Sequence, residues 1–184
     1  MAAREEARRR NAGPEDRDVD ERCILGFNSG PPMLPGAYNN FVQLFQIPGH
    51  VAILNEMVHD VRLVPMDNRP SLSSNIRQWM GNSRGRWDGD TLVIETEGVS
   101  GMTWFARSGS FHSDGLRVVA RMSARTAETL NYEVSIEDPE IFTRPWTMHM
   151  PLYRRVEVNS ELMEFRCVEF VEDLIYGHLR KQPD

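Results

Sequence analysis

Residues 41–64 read FVQLFQIPGHVAILNEMVHDVRLV, and this stretch decides the fold class. Apolar and polar side chains alternate along it, which is the pattern of half-buried strands. Phe41 to Ile47 predicts one strand, Pro48-Gly49 a tight turn, and His50 to Val64 a long second strand, so the whole reads as a hairpin. In the second strand Val51, Ile53, Asn55, Met57, His59, Val61 and Leu63 share one face. Ala52, Leu54, Glu56, Val58, Asp60 and Arg62 share the other. The first set is more apolar and is assigned inward, which would bury Asn55 and His59 among hydrophobic neighbours.

Further strands are predicted over Thr91–Glu97, Leu116–Ser123, Leu130–Glu137, Thr143–Tyr153 and Leu162–Phe170, with turns at Asp88-Gly89, Ala124–Glu128 and Asp138-Pro139. Leu130, Tyr132, Val134 and Ile136 line one face of their strand; Trp146, Met148 and Met150 line one face of theirs, opposite His149. Ile76, Trp79 and Met80 fall at helical spacing and predict a short helix within 71–82, ended by Gly81. Residues 98–114 are glycine-rich and predict a long loop or lid that must bury Trp104, Phe105 and Phe111. Val171 to Arg180 predicts a terminal helix. About eight short strands joined by tight turns give a mainly β fold: an antiparallel up-and-down barrel or strongly curled sheet, lipocalin- or calycin-like, with short helices. Residues 1–22 form a charged arm and 23–184 a single domain.

The chain has 184 residues, is 40% hydrophobic and 26% charged, and carries a formal charge of −6. That balance argues against a nucleic-acid or anionic-membrane partner. No apolar run approaches the roughly 20 residues that span a bilayer, and the charged N-terminus has no signal-peptide core. A cytoplasmic protein is expected, with export the alternative if a signal has been removed. Cys23 and Cys167 are the only cysteines and fit either reduced thiols or one disulfide.

An eight-stranded curl can be filled or can hold one small ligand. Tyr132, Trp146, Met148, Met150 and Met57 would form an apolar, adaptable lining for one. His59, oriented by Asn55, is the leading acid/base candidate, and a core histidine satisfied by hydrogen bonds is its plain alternative. His112, on the loop that could fold over the mouth, is a third catalytic candidate, or else an exposed loop histidine. Arg77 and Arg84 beside Trp79 could hold a carboxylate or phenolate; otherwise they cap carbonyls. Trp104, Tyr132, Trp146 and Met148 complete the substrate-binding set. Glu56, Asp60 and Arg62 read as an outer cross-strand ladder, and Glu133 and Glu137 as an outer polar face. No metal-ligand spacing, phosphate loop or dinucleotide fingerprint occurs, so no cofactor or metal is expected.

The motifs GPPMLPGAYNN, NEMVHDVR, IRQWMGNSRGRWDGDTLVIET and TRPWT resemble a largely uncharacterised family of small bacterial proteins, over about Pro14 to Glu169. The resemblance implies that Cys23 and Cys167 lie close together and are bonded in exported relatives. It also implies departures here. Relatives carry Cys-His-Glu where this chain has Cys167-Val168-Glu169, and a His and a Glu where it has Arg117 and Ala120.

Two functions follow as expectations. One is a cofactor-independent lyase, hydratase, isomerase or cyclase acting on a hydrophobic aromatic molecule; elimination from a lignin-derived compound with loss of a small aldehyde is one version. The other is a lipocalin-like small-molecule binding protein without chemistry. Either has a small-molecule ligand as its partner, and self-association into a homo-oligomer is left open.

Overall fold

The computed structural model describes residues 17–106 and 110–179. Alternation makes strands where it was expected. β1 (Val42–Ile47), β2 (His50–Asn55) and β3 (Val61–Pro65) form a three-stranded antiparallel sheet. β4 (Asn82–Asp88), β5 (Thr91–Glu97), β8 (Arg117–Thr126), β9 (Thr129–Glu137) and β10 (Trp146–Tyr153) form a five-stranded one in the order β10-β9-β8-β5-β4. A hairpin of β6 (Trp104–Ala106) and β7 (Ser110–Phe111) interrupts it between β5 and β8. Pro48-Gly49 joins β1 to β2 and Gly89 lies in the turn from β4 to β5; both glycines have positive φ, as such turns require.

The inward rows of the two sheets share one core. Val51, Ile53 and Val64 of the small sheet pack with Leu92, Ile94, Val118, Ala120, Met122, Tyr132, Val134 and Ile136 of the large one. β3 lies against β4 at Gly85, where a Cβ would collide with Met66 Sδ and Val64 Cγ1; glycine is what allows that approach. No ladder joins the sheets there, and β1 and β10 remain the outer edges. The architecture is therefore a pair of packed antiparallel sheets with no closed barrel among the described residues. The outer face of the small sheet leaves Phe45, Ile47, Val61 and Leu63 exposed.

Four local expectations change. The strand predicted over 50–64 is broken by a 3-10 turn at Met57–His59, with Val58 and His59 at φ 58° and 56°. Side chains after the turn swap faces: His59, Val61 and Leu63 are exposed, while Arg62 and Val64 are buried. The helix predicted within 71–82 does not form, because Gln78 spends its backbone N–H on Gly98 O (3.0 Å) and its carbonyl on Ser100 N (2.9 Å) and Gly81 N (3.1 Å). Residues 162–170 form no ladder; Met163 and Phe165 donate their N–H groups to the side chains of Glu56 and His59. The described residues of the 98–114 segment form no open lid. They tuck in through Thr103, Phe105 and His112, all buried, while Phe111 stays exposed against expectation. The terminal helix, α1, spans Val171–Tyr176.

Residues 1–16 of the predicted arm lie outside the described residues. Its last part is tied to the C-terminal segment, where Phe170 N–H donates to Glu21 O at 3.0 Å. Cys23 and Cys167 are bonded, with Cα atoms 5.7 Å apart. No helix among the described residues is long and apolar enough to cross a membrane.

Candidate functional site

The Asn55–Arg62 segment is a clasp more than a strand. Glu56 is buried and its Oε1 accepts Met163 N–H at 2.9 Å. His59 Nε2 accepts Phe165 N–H at 3.0 Å. Asp60 Oδ2 accepts both Gly26 N–H (2.7 Å) and the Ser29 hydroxyl (2.9 Å). One turn thus grips the two chain segments that the disulfide joins. A β-branched residue at positive φ is strained, and these bonds hold Val58 in place from both sides. Burial pushes the Asp60 carboxyl above its usual value, against the pull of the Gly26 and Ser29 bonds. The expected outer ladder of Glu56, Asp60 and Arg62 does not form: Glu56 and Asp60 bind separate segments, and Arg62 turns inward.

His59 therefore sits outside the interior, apart from Asn55, which stays inward and buried. His112 is neither an exposed loop residue nor open to a guest. Its Nε2 bonds the Thr103 hydroxyl at 2.8 Å and its Nδ1 the Ser113 carbonyl at 2.9 Å. Burial lowers its pKa from the ordinary 6.5. Asp138, also buried, holds that corner by accepting the Ser113 N–H and hydroxyl, each at 2.7 Å.

Arg84 is a carbonyl cap: its guanidinium donates to Arg69 O (3.1 Å), Pro70 O (2.6 Å) and Ser83 O (2.7 Å). Arg77 donates to the Ser74 carbonyl and lies 3.9 Å from Asp114. It lines an open cleft of about 360 Å³ that also includes Leu72, Asn82, Glu97 and Arg117. Arg117 is committed there, to Glu95 at 3.0 Å, Glu97 at 3.2 Å and Glu137 at 3.8 Å. A second open cleft of about 470 Å³ lies on the outer face of the large sheet, where His149 faces Glu133 at 3.5 Å. Trp79 is half-buried beside the Gln78 bridge and makes no cluster with Trp146.

The predicted apolar wall does assemble. Register places Trp146 opposite Ile136, Met148 opposite Val134 and Met150 opposite Tyr132, on the inward row. Met148, Met150 and Leu152 pack against the core while remaining only partly buried, and Trp146 is 37% exposed. Aromatic contacts continue the wall: Phe142 meets Trp146 edge-on at 5.7 Å and Phe105 at 6.3 Å, and Phe105 meets His112 at 5.0 Å. Trp104 is half-buried in β6 of the same tucked hairpin. Met57 packs elsewhere, beneath Gly26.

Comparison with protein-family models, curated proteins and solved structures finds no match. What the site can do rests on its own chemistry.

Two buried groups escaped the sequence reading. Arg62 was placed on the outer face, yet it is 4% exposed and close enough to Tyr132 to act on its hydroxyl electrostatically. Burial pushes the Tyr132 hydroxyl above its usual pKa and lowers that of the Arg62 guanidinium. Glu56, also placed outside, is buried with its Oε2 unpartnered. Arg62 becomes visible only once the break at Met57–His59 is known, because the break reverses the parity after it; Glu56 leads into the break and is buried where it accepts Met163 N–H. Among the described residues no cluster of His, Cys, Asp and Glu is arranged to hold a metal ion.

Proposed function

We propose that this protein binds a small, largely apolar molecule against the inward face of β10. The observation that carries the reading is a core-facing row, Trp146–Met148–Met150, that the rest of the fold leaves only partly covered. The inward residues of β2, β3 and β5 are buried, as packed sheets require, and the edge strands β1 and β4 are open in part too, at Leu44 and Trp87. Methionines adapt to irregular guests, and an apolar wall with few polar groups is the usual composition of a small-molecule site. Both open clefts make poorer candidates, since Arg117 in one and Arg121 in the other are already paired with carboxylates.

Acid/base turnover of an aromatic guest would need a titratable group facing that wall. The two histidines best suited to it, His59 and His112, have bonding partners elsewhere, so binding ranks above catalysis. The Cys23–Cys167 bond supports work in an oxidising compartment, where disulfides persist.

A neutral fluorescent guest such as N-phenyl-1-naphthylamine should bind saturably. Trp146→Ala should weaken it by about tenfold or more, the loss typical of a large aromatic contact. Equal affinity in the variant would remove the β10 wall from the site.

A further inference from the structure

Arg62 is the one buried cation among the described residues. Its Nε and Nη2 atoms have no hydrogen-bond partner among those residues. These two nitrogens form the side edge of the guanidinium, whose parallel N–H groups match the two oxygens of a carboxylate. A lone buried cation is costly to keep without a counter-charge. Tyr132 lies within electrostatic reach of it; its hydroxyl accepts Met33 N–H at 3.1 Å, which leaves the hydroxyl hydrogen to donate to a second partner. Asn55 is on the same inward face, one step along from the Ile53–Arg62 pair.

We propose that Arg62 and Tyr132 form the head-group end of the interior site, and that the guest is an apolar monocarboxylate. This rests on the reading that the β10 wall takes a guest. One buried cation fits one negative charge, which disfavours phosphates and dicarboxylates. The register sets the guest's length. Tyr132 pairs with Met150 and Ile136 with Trp146, so head group and aromatic end are four residues apart along the strand. At a rise of about 3.4 Å per residue the span is roughly 14 Å. A carboxylate at Arg62 can therefore place a phenyl ring or alkyl end against Trp146 through a chain of several methylenes. Met122 and Met150, which flank Tyr132 on either side, would line the way.

The test is calorimetric titration of 6-phenylhexanoate and its methyl ester into wild-type protein, Arg62→Met and Tyr132→Phe. The acid should bind wild type roughly 10- to 100-fold more tightly than the ester, the worth of a charged hydrogen-bond pair. Arg62→Met should erase that advantage while leaving ester affinity and the thermal midpoint of the free protein undiminished, because it removes a buried charge without breaking a pair. Tyr132→Phe should narrow the advantage and serves as the second variant if Arg62→Met does not fold. Equal binding of acid and ester by wild type, or an advantage that survives Arg62→Met, overturns the carboxylate anchor and leaves the apolar wall standing. A marked fall in the midpoint of Arg62→Met would make Arg62 a structural residue and overturn the anchor too. Binding of neither compound overturns both readings.

Discussion

Replacing Cys23 and Cys167 by serine is expected to lower the unfolding free energy by about 5 kcal/mol. The bond spans 144 residues of sequence, so its loss frees almost the whole chain in the unfolded state. For a domain of this size that corresponds to a fall in thermal midpoint of roughly 10–20 °C. The effect should also be local. Met163 and Phe165 are held by Glu56 and His59 through their backbone N–H groups rather than by a ladder. Without the disulfide these amides should exchange with solvent faster than those of β8 and β9. Urea titrations of the oxidised and serine proteins, with amide exchange, check both parts. A change below about 1 kcal/mol with unaltered exchange would mean that the clasp holds without its covalent bond.

Asp60 carries the second large effect. Asp60→Ala leaves Gly26 N–H and the Ser29 hydroxyl, both buried, without an acceptor. Each buried orphan costs about 1–3 kcal/mol, so a loss of roughly 2–6 kcal/mol is expected. Asp60→Asn should cost far less, because both donors meet a single oxygen that an amide can supply. The two variants also separate on pH. Burial raises the folded carboxyl above its ordinary 3.8. Asp60 stabilises fully below that value, and its contribution is lost as pH rises through the folded pKa. Stability of Asp60→Asn should therefore fall less than wild type as pH rises from 3.8 into that window. Combined with loss of the disulfide, Asp60→Ala should be less than additive, since both act on one clasp.

Strands with clean alternation and turns with Pro or Gly were legible: β1, β2, β5, β8, β9 and β10 lie where the pattern puts them. The inward row of β10 followed from parity alone, and with it Trp146, Met148 and Met150, the last facing Tyr132. The turn at Met57–His59 was not legible. It has no Gly or Pro, and it puts Val58 at a φ that β-branched residues avoid. Its cause is tertiary: Glu56, His59 and Asp60 bind segments more than 30 and more than 100 residues away. Unbroken alternation through this turn would point His59 inward and Arg62 outward, the reverse of where they lie. The 162–170 stretch alternates like a strand but joins no ladder; Met163 and Phe165 donate to side chains, which periodicity cannot register.

The most direct measurement of the central claim is a methionine-methyl NMR titration with 6-phenylhexanoate. Binding in the interior predicts saturable shifts at Met122, Met148 and Met150, and none at Met102 and Met163, which are 60% and 69% exposed. Shifts confined to the exposed methionines, or none at all, would contradict an interior site.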